Sequence, residues 1–98
     1  MNFEVILTKI AETHIEEACD YYDSTYNTQL TLNFLSDLEQ TIAVLENNPY
    51  FQIWTDNYRA IPLSKFPYLV FFEIDETQYM VKVIAAFHTS LNPTKYPK

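Results

Sequence analysis

The sequence predicts an α+β domain in which an N-terminal strand and a two-helix antiparallel hairpin pack on a twisted antiparallel sheet, in the order β-α-α-β-β-β. Three observations predict it. Apolar residues recur at helical spacing through the first half of the chain. In the last third they form short runs rich in β-branched and aromatic residues. No linker, repeat or low-complexity segment divides the 98 residues. A single domain over residues 1–98 follows, because a chain of this length buries roughly 65% of its unfolded surface, enough for one core.

"FEVIL", residues 3–7, reads as a short strand ended by Thr8, which is placed to cap the next segment. Ile15, Ala18, Cys19, Tyr22 and Tyr26 fall on one face of a helix over residues 9–25, with Glu12, Glu16, Glu17, Asp20 and Asp23 mostly elsewhere. "DSTYN" interrupts the pattern, and Asn27 or Thr28 caps a second helix striped by Leu30, Phe34, Leu35, Leu38, Ile42 and Leu45. "ENNPY" ends it, since Asn tolerates the left-handed conformation of a helix C-terminus and Pro49 cannot continue a helix. So short a link makes the two helices an antiparallel hairpin.

Residues 49–57, "PYFQIWTDN", show no period and read as a loop whose Tyr50, Phe51 and Trp54 pack on the core. "YRAIPL", 58–63, is a short strand, and Pro62 assigns it to an edge or a bulge. After the turn "SKFP" come the two strongest strands, "YLVFFEI" (68–74) and "YMVKVIAAF" (79–87), joined as a hairpin through "DETQ". Strict alternation along the last strand sends Tyr79, Val81, Val83, Ala85 and Phe87 toward the helices. Met80, Lys82, Ile84, Ala86 and His88 then look out from the opposite face, unless a bulge intervenes.

Composition narrows the function classes. The chain has no glycine, which excludes a glycine-rich phosphate loop and leaves its turns to Asn, Asp, Pro and Ser. One cysteine, Cys19, excludes an internal disulfide and suits a reducing cytoplasm. "MNFEVILTKIAE" turns polar too soon for a secretory leader, and no apolar run approaches the ~20 residues that span a bilayer. The net charge of −7 argues against sequence-blind binding of nucleic acid. Residues 1–57 carry one base against ten acids, whereas residues 58–98 carry five bases against three acids, so an anionic ligand would bind in the C-terminal part. His14 is expected to face solvent on the acidic helix. His14, Cys19 and His88 have no zinc-ligand spacing, and no metal or cofactor is implied.

"EACDYY" on the first helix is followed by "FLSDLEQTIAVLENNP" on the second, then by "YRAIPLSKFPYLVFFEID" and "VKVIAAFHTSLNP". In this order and spacing the pieces resemble the RelE/ParE superfamily of type II toxin–antitoxin toxins over nearly the whole chain. The resemblance implies helices packed on a twisted antiparallel sheet, a bacterial cytoplasmic location and a cognate antitoxin partner. It leaves the target open: RelE-like members cleave mRNA on the ribosome, and ParE-like members inhibit DNA gyrase without cutting RNA. A degenerate toxin that keeps only antitoxin binding is a third reading. Exposed apolar surface on the helical hairpin would serve an antitoxin or a second copy of the chain.

Cleavage of RNA through its 2′-hydroxyl needs a base, an acid for the leaving 5′-oxygen and cations for the phosphorane. By resemblance to RelE-like enzymes these roles fall to Arg59, Lys65 and His88. Arg59 would clamp phosphate, Lys65 would act as a point charge, and His88 would move the proton. The competing structural readings are a loop-positioning Arg59 or its pairing with Asp56, an ordinary turn lysine, and a strand-end histidine. Tyr68 and Tyr96 could supply a phenol, although packing is the commoner use of tyrosine. Many relatives carry a base three residues after this histidine, and here that position is Leu91.

Overall fold

The computed structural model describes residues 2–51, 53 and 58–90. Its elements are β1 (Glu4–Leu7), α1 (Lys9–Thr25), α2 (Thr28–Asn47), β2 (Arg59–Pro62), β3 (Tyr68–Asp75) and β4 (Met80–His88). The expected order and the helical hairpin on a sheet are both present. Leu91, Trp54, Asp56 and Tyr96 lie outside the described residues.

Local chemistry sets the helix ends. The Thr8 hydroxyl accepts from the Ala11 N–H and caps α1, and the Asn27 side chain accepts from the Leu30 N–H and caps α2. At the end of α2 the left-handed asparagine is not formed. Asn48 is extended (φ −157°, ψ 97°) because it precedes Pro49, whose ring disfavours helical and turn conformations in its neighbour. The described residue with positive φ is Tyr79 (φ 50°), after the β3–β4 turn. In a chain without glycine this kink falls on a bulky residue at a cost of about 1 kcal/mol. Tyr79 recovers contact by packing its ring 5.8 Å from that of Phe3. The turn itself is held by Asp75, whose carboxylate accepts from the Thr77 hydroxyl at 2.7 Å and from the Thr77 and Gln78 N–H groups. The Thr77 hydroxyl, with lesser help from those N–H groups and Lys82, keeps the Asp75 carboxyl below its ordinary range.

The sheet order is β1-β4-β3-β2, so β2 with its Pro62 is indeed an edge strand. β2, β3 and β4 are antiparallel, but β1 pairs with β4 in parallel, which makes the sheet mixed where an all-antiparallel one was expected. The cause is the link between β1 and α1. Thr8 alone joins them, so α1 continues in the direction of β1 along β4, and His14 reaches Ala86. Helix α2 then returns the chain to the start of β1, where the Phe3 N–H donates to the Glu46 carbonyl. From there β2 sets off in the direction of β1, and two hairpin reversals leave β4 parallel to it.

A β-bulge corrects the alternation in β4. Val83 pairs with Phe72 but Ala85 pairs with Phe71, so Ile84 is an extra residue and the side-chain phase flips beyond it. Val81, Val83 and Ala86 are buried with the helix-facing side chains of β3, Tyr68, Val70 and Phe72. Ala85 and Phe87, expected under the helices, instead join Phe71 on the other face. His88 lies opposite Tyr68 and therefore on the helix side, away from Lys82. The Thr8 hydroxyl donates toward the Val83 carbonyl at 3.0 Å and the Ile84 carbonyl at 3.3 Å, the two consecutive acceptors that the bulge turns to one side.

The core lies between the hairpin and the sheet. Phe34, Leu45, Phe72, Val81 and Val83 are buried there, and each fully buried apolar side chain contributes about 1.5–3 kcal/mol. Phe34, Phe66 and Tyr68 form an aromatic cluster with Tyr22, with centroids 5.2 to 5.5 Å apart between Phe34 and each of the other three. Of the expected apolar faces, Tyr26 and Tyr50 are exposed, while Phe51 packs against the core. One charged group is buried with them. Asp37 of α2 is 2% exposed, and its carboxylate accepts from the backbone N–H groups of Ser64, Lys65 and Phe66 at 3.2, 2.8 and 2.9 Å. It thereby fixes the β2–β3 turn to the helices.

Two substitutions test this frame in urea denaturation. Asp37→Ala should cost about 3 kcal/mol, since it strips a charged acceptor from the three N–H groups. Thr8→Ala should cost about 1–2 kcal/mol and Thr8→Ser much less, because serine retains the capping oxygen.

Candidate functional site

A cleft that brings His14 and His88 to one place lies between α1 and the outer edge of β4. It measures about 460 Å³ and is lined by His14, Glu17, Tyr68, Ala86, Phe87 and His88 among others. The bulge puts it together: without the extra residue, Ala86 and His88 would face away from α1.

His14, expected in solvent, is half-buried here. Its Nδ1 accepts from the Ala86 N–H at 3.2 Å, which puts its ring proton on Nε2, and its ring lies 4.7 Å from that of Phe87. It serves β4 as a side-chain substitute for a neighbouring strand. The sequence signal was its position six residues beyond the Thr8 cap, but that signal is readable only once α1 is known to run along β4. His88 sits at the other wall, its ring 5.3 Å from that of Tyr68. Its Nδ1 accepts from the Ser90 N–H at 3.1 Å and lies 2.7 Å from the Ser90 Oγ, so its proton too is on Nε2.

Tyr68 is the perturbed titrating group of this cleft. Burial, together with the neighbouring Tyr22 phenol, pushes Tyr68 up to about 12. Tyr22 is also raised by burial, with partial relief from its contact with the Tyr68 hydroxyl. A phenol held so firmly protonated is suited to donating a hydrogen bond and unsuited to acting as a base near neutral pH. On the neighbouring part of α1, burial first and then Asp23, Asp20 and Glu16 raise the Cys19 thiol, which makes it a poor nucleophile.

Arg59 and Lys65 stand elsewhere. Arg59 pairs with Phe72 on β3, four positions from the Tyr68–His88 pair and one strand further over. At about 3.3 Å per residue and about 4.8 Å per strand, Arg59 and His88 stand on the order of 16 Å apart. The Arg59 guanidinium donates to the Phe51 carbonyl at 2.8 Å and lies 5.5 Å from the Tyr50 ring centroid, so it positions the chain after α2. Lys65 shares the His88 end of the sheet, where the Thr89 N–H donates to the Pro67 carbonyl. It opens to a different cleft, of about 370 Å³, with Asn33, Ser36 and Gln40 of α2. The aromatic cluster around Tyr22 and Phe66 lies between the two clefts. The three candidate groups are thus not gathered around one point. Among the described residues no group of three or more His, Cys, Asp or Glu side chains is gathered to hold a metal ion, and no helix is long and apolar enough to cross a membrane.

A helical hairpin laid on a four-stranded mixed sheet is the ParE/RelE-like architecture. It matches a solved structure described as the chromosomal ParDE TA system from P. aeruginosa with a TM-score of 0.76, at 13% identity, over 90% of this chain and 97% of that one. The family described as ParE toxin of type II toxin-antitoxin system, parDE, matches residues 5–93, and the chain belongs to it. No curated protein matches.

The raised Tyr68 phenol has a pH signature. A group protonated more tightly in the folded than in the unfolded chain adds stability below the unfolded value of about 10, and that stability is lost as pH rises toward 12. Ultraviolet titration of the folded protein should show a late-ionising tyrosine that disappears in Tyr68→Phe. The wild type should lose stability between about pH 10 and 12 more steeply than this variant.

Proposed function

We propose that the chain is the toxin of a two-component pair, held inactive by a cognate antitoxin, and that it acts by surface contact on DNA gyrase and not by cutting RNA. Membership of the ParE family supports the toxin assignment. The observation that carries the choice of target is the scatter of the cationic and proton-transfer groups. A phosphorane needs its clamp and its acid and base within hydrogen-bond reach of one phosphate. Arg59 is engaged with Phe51 on the order of 16 Å from His88. Lys65 opens to a separate cleft, and the helices nearest His88 are acidic. A net charge of −7 also weakens approach to the ribosome's phosphate surface.

One observation favours the second reading, RNA cleavage by Arg59, Lys65 and His88. His88 shares its cleft with the firmly protonated Tyr68, and Lys65 stands at the same end of the sheet. In that case His88 would act as base, with Tyr68 as donor.

Expression in bacteria lacking an antitoxin separates the two. On the gyrase reading growth stops, the DNA-damage response rises, transcripts keep their 5′ ends, and purified protein inhibits supercoiling by gyrase. His88→Ala should change that inhibition less than threefold. New 5′ ends within codons that vanish in His88→Ala would overturn this reading in favour of RNA cleavage. Unimpeded growth would overturn both.

A further inference from the structure

Both histidines of the chain meet the α1–β4 cleft in the same way. Each turns its Nδ1 to a backbone N–H, His14 to Ala86 at 3.2 Å and His88 to Ser90 at 3.1 Å. A ring nitrogen accepts a hydrogen bond only while it carries no proton, so both contacts belong to the neutral ring. Imidazole is also the side chain that changes charge between about pH 5 and 8. Each contact is therefore conditional on pH.

The two contacts differ in reach. His88 and Ser90 are two residues apart, so their bond shapes one strand end. His14 and Ala86 are 72 residues apart, and their bond ties the middle of α1 to β4. Ala86 is buried, which makes water a poor substitute acceptor for its N–H. A proton on Nδ1 would set two N–H groups against each other there, and the charged ring must leave.

It has a second partner within reach. Glu17 stands three residues further along α1 and lines the same cleft. Residues at this spacing are neighbours on a helix surface. Glu17 is exposed and has no hydrogen-bond or ion-pair partner among the described residues. Its other helix neighbours at three and four positions, Thr13, Asp20 and Tyr21, include no base. The remaining titratable groups of the cleft walls are His88 of β4 and Tyr68 of β3, and burial with the Tyr22 phenol keeps Tyr68 protonated. Elsewhere on α1 stand the charged Lys9, Glu12, Glu16 and Asp23, and the Cys19 thiol, which burial and the nearby acids raise.

We propose that His14 is a pH-operated tie between α1 and β4. Neutral, it holds the Ala86 N–H and keeps the cleft closed. Protonated, it exchanges Ala86 for the Glu17 carboxylate and lets the helix and the strand part. Both positions of the ring are partnered, so the exchange does not require the domain to unfold. The tie does not depend on which cellular target the protein has.

Nuclear magnetic resonance of the isotope-labelled full chain tests this between about pH 8 and 5. At the upper end the His14 ring should carry its proton on Nε2. As the ring titrates, the Ala86 amide proton should move upfield with the same midpoint. Its exchange protection, corrected for the intrinsic pH dependence, should fall on the order of tenfold. The nuclear Overhauser effect between the His14 and Phe87 rings, 4.7 Å apart here, should fade over the same range. His14→Gln keeps an acceptor that does not titrate, and its Ala86 amide should stay constant. Glu17→Gln removes the second partner and should weaken proton binding at His14 about twofold. An Ala86 amide that ignores the titration of the wild-type ring would overturn the proposal, a result that needs no variant to fold. So would a ring proton on Nδ1 at the upper end, a His14→Gln protein whose Ala86 amide still titrates, or unchanged proton binding in Glu17→Gln. Gyrase inhibition enters none of these readings, so the tie and the cellular target stand or fall separately.

Discussion

The contact of Thr8 with the bulge in β4 is the constraint from which most of the architecture follows. One side chain does two jobs. Its oxygen starts α1 by accepting from Ala11, and its hydroxyl faces the paired carbonyls of Val83 and Ile84. The first job ends β1 with no loop, so α1 must continue along β4 where a loop would have let it double back. The second anchors that helix start at the residue where the strand changes phase. Parallel pairing of β1, the approach of His14 to Ala86 and the inward turn of His88 are consequences of this one junction.

The other end of the hairpin is tied down differently. Asp37 collects three backbone N–H groups from the β2–β3 turn, and Thr31 spans the helices by donating to Asp23 at 2.6 Å. A chain without glycine has few ways to make a tight turn, and here a buried carboxylate supplies the acceptors that hold one. The aromatic cluster sits directly over it. Phe66 follows the turn that Asp37 holds, and Tyr22, Phe34 and Tyr68 close around Phe66 and each other. The raised Tyr68 phenol is therefore a product of core packing as much as of any chemistry in the cleft.

How far the sequence could be read depended on whether a feature is local. The helix spans, the Thr8 and Asn27 caps, the edge position of β2 and the apolar stripes rest on periodicity and capping, and the structure has them. The direction of β1 relative to β4 depends on how a whole helical hairpin returns, which no local pattern encodes. The bulge was invisible because "VKVIAAF" is apolar on both faces beyond Lys82. With no polar residue to mark a face, Ile84 can be extra without leaving a trace in the alternation. Asn48 shows one local rule overruling another, since the proline that stops the helix also prevents the left-handed turn expected before it. The loop-positioning reading of Arg59 was open from the sequence, whereas the role of His14 was hidden for a related reason. His14 serves the backbone of a strand distant in sequence, and a side chain's service to backbone leaves no residue-type signature.

The distribution of charge ties these points to function. Most acids lie on the hairpin, and among the described residues the bases other than Lys9 lie in the strands and turns of the second half. In the folded chain this becomes an acidic helical wall beside a strand edge, with Arg59 near the far end of β2 and Lys65 in a turn. Such a surface has no concentrated positive patch among the described residues on which a phosphate backbone would settle, and affinity for nucleic acid depends on concentrated positive charge. The bulge that turns His88 inward removes it from the exposed sheet face and adds it to the cleft beside α1. One inserted residue in β4 thereby parts His88 from Lys82, with which strict alternation would have grouped it on one face.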